Sequence, residues 1–125
     1  MSVTRAIPEC FAVPPRVVAV DGAVTTVEAV CVFPPSFPGF AGHFPGDPLL
    51  PGIVQIMAVV QAASHDSNGV LQGVKRCKFV RPVRPMEELA IAVDITEKAD
   101  VRFCKATLTV QGEATSTISL TLAMQ

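Results

Sequence analysis

From Pro48 to Ser64 the chain carries no charged residue, and that stretch limits what the rest can become. Pro51-Gly52 suits a helix start, because a first-turn proline loses only an N–H that has no partner there. The spacing predicts a helix from Pro51 to about His65, apolar nearly all round, closed by Ser67-Asn68-Gly69. A helix without a polar stripe must be wrapped by something. It is too short to cross a bilayer, which takes about 20 apolar residues. Pro45, Pro48 and Pro51 stiffen the loop before it, so His43 is presented from a frame with little freedom.

The wrapping material is β-type. Met1 to Pro15, with Pro8, Pro14 and Pro15, reads as an irregular arm. Arg16–Val20 and Ala23–Phe33 flank Asp21-Gly22, a strong turn pair, and read as a hairpin. The prolines of Pro34 to Gly42 mark a loop. After the helix come candidate strands Gly73–Val80, Leu89–Ile95, Val101–Val110 and Thr115–Met124. In the last, Ile118, Leu120, Leu122 and Met124 alternate with Thr117, Ser119 and Thr121. One apolar face per strand is the mark of an antiparallel sheet covering something. The expected architecture is α+β: one domain over 1–125, with a curved antiparallel sheet round one central helix and an edge left for a second copy.

Composition narrows the function. A net charge of −1 gives no reason to expect nucleic acid, and half the residues are hydrophobic, an excess that suggests burial against another subunit. Cys10, Cys31, Cys77 and Cys104 have no C-x-x-C spacing, so they read as reduced thiols and not as a metal site or disulfide frame. Without a signal-peptide pattern, a soluble cytoplasmic protein with no membrane partner is expected.

His43-Phe44-Pro45-Gly46-x-Pro48-x-x-Pro51-Gly52, with Gln61 downstream, resembles the signature of the 3-hydroxyacyl-acyl-carrier-protein dehydratases (FabZ and FabA type). Lys78-Phe79-x-Arg81-Pro82-Val83-x-Pro85 is similar to that family's strand after the helix. The resemblance covers Phe33 to Leu89 and implies a hotdog fold, no cofactor, and a dimer whose two sites are each shared across the interface. It implies that His43 removes the proton beside a thioester carbonyl, and that the Gly52 backbone N–H polarises that carbonyl. Phe44, Ile53, Ile56, Met57 and Val60 become expected acyl-chain contacts, and Gln61 a support residue.

One role has no owner. The family's helix Glu or Asp falls on Met57, and Ile53 to Ser64 contains no carboxylate. Met cannot donate a proton. Three readings stay open: a dehydratase in which His43 handles both protons, or to which Asp47 lends a carboxylate; a binding module or His-donating half of a heteromeric hotdog pair; and a hotdog thioesterase, which Met57 again deprives of an acid. Lys75, Arg76, Lys78, Arg81 and Arg84 are half of the ten basic residues. They suit an acidic carrier protein, or the phosphate of a pantetheine arm on that carrier or on coenzyme A.

Overall fold

The computed structural model describes residues 3–40 and 46–125. His43 and Phe44 therefore lie outside the described residues. Six strands form one antiparallel sheet: β1 (Phe11–Asp21), β2 (Val24–Val32), β3 (Gly69–Phe79), β4 (Glu88–Lys98), β5 (Val101–Val110) and β6 (Glu113–Met124). Their order across the sheet is β1-β2-β4-β5-β6-β3. A single helical turn, α1 (Val3–Ala6), precedes β1, and the central helix α2 spans Gly52–Ala63.

Strand periodicity builds the core. Leu89, Ile91, Val93 and Ile95 of β4, Cys104, Ala106 and Leu108 of β5, and Ile118, Leu120 and Leu122 of β6 all turn inward and are buried. They close on Val54, Ala58, Val59, Ala62 and Ala63 of α2. The sheet thus wraps the helix, as its uncharged sequence requires. The β1–β2 hairpin closes with Asp21 opposite Val24 and Gly22 at φ +60°, so Asp21-Gly22 turns as expected.

The N-terminal arm is a correction. Residues 3–15 are ordered as α1, a 3-10 turn (Ile7–Cys10) and the first part of β1, and Ile7 is fully buried. Pro14 and Pro15 are accommodated because β1 is a sheet edge, and the register shifts between Val13 and Arg16, which pair with Val30 and Glu28. Proline belongs at an edge and a bulge, where the missing N–H has no partner to lose. Between Pro34 and Phe40 the chain also does more than expected. Pro38–Phe40 is a 3-10 turn, and Phe33, Phe37 and Phe40 stack edge to face with ring centroids 4.8 and 5.9 Å apart. The loop's backbone is irregular because its aromatic side chains are core.

The sheet leaves part of α2 uncovered in the single chain. Ile53 is 61% exposed and Ile56 and Met57 only half-buried, against the expectation of burial on all sides. The second edge strand, β3, starts four residues earlier than the expected Gly73, and carries exposed Val70 and Val74.

Candidate active site

The site is built around the start of α2. Pro51 is its N-cap, extended at φ −61° and ψ 146°, with no side-chain cap. Pro51's carbonyl takes the N–H groups of Val54 and Gln55. Among the described residues the N–H groups of Gly52 and Ile53 have no acceptor, as the geometry of a helix start dictates. These amides open on a cleft of about 650 Å³ lined by Leu49, Leu50, Ile53, Gln55, Phe79 and Arg81, among others. A helix N-terminus in an apolar cleft is a prepared place for an oxygen that gains negative charge.

The cleft's other wall is held by backbone. Thr115's carbonyl accepts the N–H groups of Val80 and Arg81 at 2.9 and 3.2 Å, and Val83's carbonyl accepts that of Leu50 at 2.7 Å. Phe79 pairs with Ser116 of β6, and its ring lies over Gly52. A side chain at position 52 would occupy the ring's space, which is the local reason for glycine there.

A second cleft, about 330 Å³, lies on the other side of the helix start, lined by Val3, Thr4, Pro38, Ile53, Val54 and Met57 among others. Gly52 and Met57 are five residues apart, about 140° around a helix. One chain therefore presents the amides to one cleft and position 57 to another. The expected acyl contacts split accordingly. Ile53 borders both clefts and Met57 the smaller one, Val60 is buried in the core, and Ile56 lines neither. Gln61 donates from Nε2 to the Thr4 carbonyl at 3.1 Å, tying α1 to the helix.

The basic cluster also divides. Lys75, Arg76 and Lys78 are exposed on edge strand β3. Arg81 is paired with Glu87 at 3.2 Å, and Arg84 with Asp47 at 3.3 Å. That second pair engages Asp47 at the surface, where it ties its own loop to the segment after β3. Arg81 keeps one terminal nitrogen, Nη1, buried and without an acceptor among the described residues.

Two buried polar residues stand outside any sequence motif. Gln55 sits among the helix's apolar residues, one turn after Gly52, and is buried. Arg102 is the single charge on β5's inward face, buried at the far end of α2, where it donates to the Ala63 carbonyl at 2.7 Å. In each case the available signal was a polar residue on a face that is otherwise apolar.

Burial pushes the thiols up: Cys31 to about 12 and Cys104 to about 11. Cys77 is raised too by burial, so the neighbouring Lys and Arg do not activate it. No group of three or more His, Cys, Asp or Glu able to hold a metal occurs among the described residues. No helix among them is long and apolar enough to cross a membrane.

The ApeI-like family model, described as the ApeI dehydratase, matches residues 19–118. The chain belongs to the ApeI-like dehydratase family. This ApeI-like chain is also 32% identical over 95 residues to the 3-hydroxyacyl-[acyl-carrier-protein] dehydratase FabZ of Bacillus pumilus, a match covering 68% of this chain and 66% of that protein. The FabZ of Latilactobacillus sakei is 35% identical over 96 residues, 69% of each. Among solved structures, the dehydratase heterocomplex ApeI:P from Xenorhabdus doucetiae superposes with a TM-score of 0.66 at 24% identity, over 87% of this chain and 97% of that one. A hypothetical thioesterase with coenzyme A from Streptococcus pneumoniae gives 0.63 at 11% identity, over 98% and 94%. At those identities the two structures establish the hotdog fold. Family membership and the FabZ relatives make the ApeI-like chain a FabZ-like, dehydratase-type protein.

Proposed function

We propose that this protein dehydrates a 3-hydroxyacyl thioester carried on an acyl carrier protein or coenzyme A. The observation that supports it best is the uncapped start of α2, whose Gly52 and Ile53 N–H groups face an apolar cleft. Held against those amides, the thioester carbonyl gains negative charge as the C2 proton leaves, and the donors stabilise that charge most where it is greatest. His43 takes the C2 proton. The C2=C3 bond forms, the C3–O bond breaks, and the same proton returns from the imidazolium to the departing oxygen, which leaves as water. Met57 cannot assist, and a positioned general acid separate from the base is typically worth about 10²–10⁴-fold in rate.

The exposed Ile53 and Val74 and the open edge of β3 support a working dimer. Pairing buries that surface and brings the helix side carrying position 57 to the other chain's amides. Lys75, Arg76 and Lys78, which have no acidic partner among the described residues, would meet an acidic carrier. The same three cations would meet its phosphate. Such carriers place the reaction in the cytoplasm.

Met57 favours a second reading, in which the partner is a different hotdog chain that supplies the carboxylate. The fold neighbour from Xenorhabdus is itself a dehydratase heterocomplex. One assay separates the two: conversion of a 3-hydroxyacyl thioester by the wild type, His43→Ala and Met57→Glu. Slow wild-type turnover, abolished in His43→Ala and raised in Met57→Glu, is the expected result. Silence in all three overturns the single-chain enzyme and turns the search to a co-purifying hotdog chain.

A further inference from the structure

Gln55 is 2% exposed, yet its side chain borders the cleft that holds the helix-start amides. It follows Gly52 by three residues, so the two lie on the same helix face, and helical side chains lean toward the N-terminus. The carboxamide therefore leans back toward the Gly52 and Ile53 N–H groups. Its orientation is set from β6, where Ser116, fully buried, donates from Oγ to Gln55 Oε1 at 3.0 Å. Among the described residues that oxygen is the only acceptor of the Ser116 hydroxyl. Reversing the amide would strand a buried O–H, at a cost buried polar groups avoid. Oε1 is thus committed to Ser116, and the Nε2 hydrogens remain for the cleft, with no acceptor among the described residues.

We infer that Gln55 recognises the C3 hydroxyl of the substrate, donating an Nε2–H hydrogen bond to its oxygen while the thioester carbonyl lies on the Gly52 amide. The inference rests on the proposed dehydratase reading and adds to it the group that tells a 3-hydroxyacyl chain from a saturated one. Gln55 transfers no proton. It holds the hydroxyl oxygen where the proton carried by His43 can reach it, a role that matters more in a chain whose Met57 supplies no acid. A site that expects a polar group discriminates against ligands lacking it, because its own donor is then left unpaired. Arg81, the other polar side chain on this cleft, gives Nη2 to Glu87 and keeps Nη1 buried, and is the less available donor to a neutral hydroxyl.

The test is binding, measured by calorimetry in a His43→Ala background so that nothing turns over. The probes are the 3-hydroxyoctanoyl and octanoyl thioesters of pantetheine. The parent should bind the hydroxylated probe about two- to tenfold tighter, the range of one neutral hydrogen bond. Gln55→Leu should erase that preference and leave octanoyl binding unchanged, which a merely structural residue would not do. Ser116→Ala, a small change that frees the carboxamide, should reduce the preference in the same selective way and decides the matter if Gln55→Leu does not fold. An unaltered preference, or equal weakening of both probes, overturns the role of Gln55 and leaves the dehydratase reading standing. A parent that binds neither probe overturns both.

Discussion

The Phe79 ring lies against the backbone of Gly52 so closely that a Cβ built on the glycine would sit 2.7 Å from Cζ. Gly52→Ala must therefore move the ring. Phe79 is half exposed and can swing outward, so the stability cost should stay near 1 kcal/mol or below. The cleft wall goes with it, and acyl-thioester turnover should fall at least tenfold. In a Phe79→Leu background the same substitution should cost almost nothing more, giving a coupling energy that a double-mutant cycle reads directly. Additive effects of the two changes would show that the ring and the glycine do not share this space.

How much of this was legible beforehand depends on the element. The inner four strands announced themselves through alternation, as Leu89 to Ile95 shows, because one face meets the helix and the other does not. The uncharged run to Ser64 announced the wrapped helix. The order in the N-terminal arm is not legible, because Pro14 and Pro15 signal loop locally, whereas an edge strand with a bulge tolerates both, a fact set by sheet order. The exposure of Ile53 and Met57 was likewise hidden, since hydrophobicity does not say whether a residue is covered by its own chain or by another. Within the site, glycine and proline spacing marked Gly52, but Gln55 became visible only when β6 placed Ser116 beneath it.

Met86 sits at φ +68°, in the left-handed region that side chains resist, with its side chain 60% exposed. Its N–H donates to the Phe33 carbonyl at 2.9 Å, and Glu87 next to it accepts from the Arg84 N–H at 2.6 Å. Those bonds hold the backbone in place whatever the side chain. Met86→Gly should therefore stabilise the protein by about 0.5–1 kcal/mol, relief of strain exceeding the added freedom of the unfolded chain. That corresponds to a melting temperature about 2–4 °C higher. Met86→Ala keeps the strain and should change little. Equal effects of Gly and Ala would place the cause elsewhere.

The four thiols should separate by access and not by acidity. Cys10, Cys31 and Cys104 are buried, and burial raises all four thiols, Cys31 to about 12. The thiolate is the reactive form. At pH 8 a disulfide reagent in excess should modify Cys77 alone in the native protein, and slowly, since β3 leaves it only half covered. The other three should react together on unfolding in urea. Early modification of Cys31, read by mass spectrometry of peptides, would contradict its burial in β2.

Arg102 closes the far end of the helix. It is 6% exposed and donates to the Ala63 carbonyl at 2.7 Å, to Asp66 Oδ2 at 3.0 Å and to Glu97, with Asp66 Oδ1 at ion-pair distance, 2.8 Å. A cation there satisfies a last-turn carbonyl and opposes the helix dipole. Arg102→Met should cost about 1–3 kcal/mol at pH 7, because it leaves that carbonyl without a donor. Hydrogen bonding from Arg102 holds Asp66 at about 2, below its ordinary 3.8. With the folded value depressed, the contribution is whole above about pH 4 and drains away as pH falls through about 2. Asp66 is half exposed, so water and salt screen the pair and the effect is modest. Urea unfolding between pH 7 and 2 should show the wild type losing stability across that window and Asp66→Asn losing less. Since Arg102→Met removes the partner that depresses Asp66, it should flatten the same limb while starting from a lower plateau. An acid limb unchanged in both variants would mean that other carboxylates carry it.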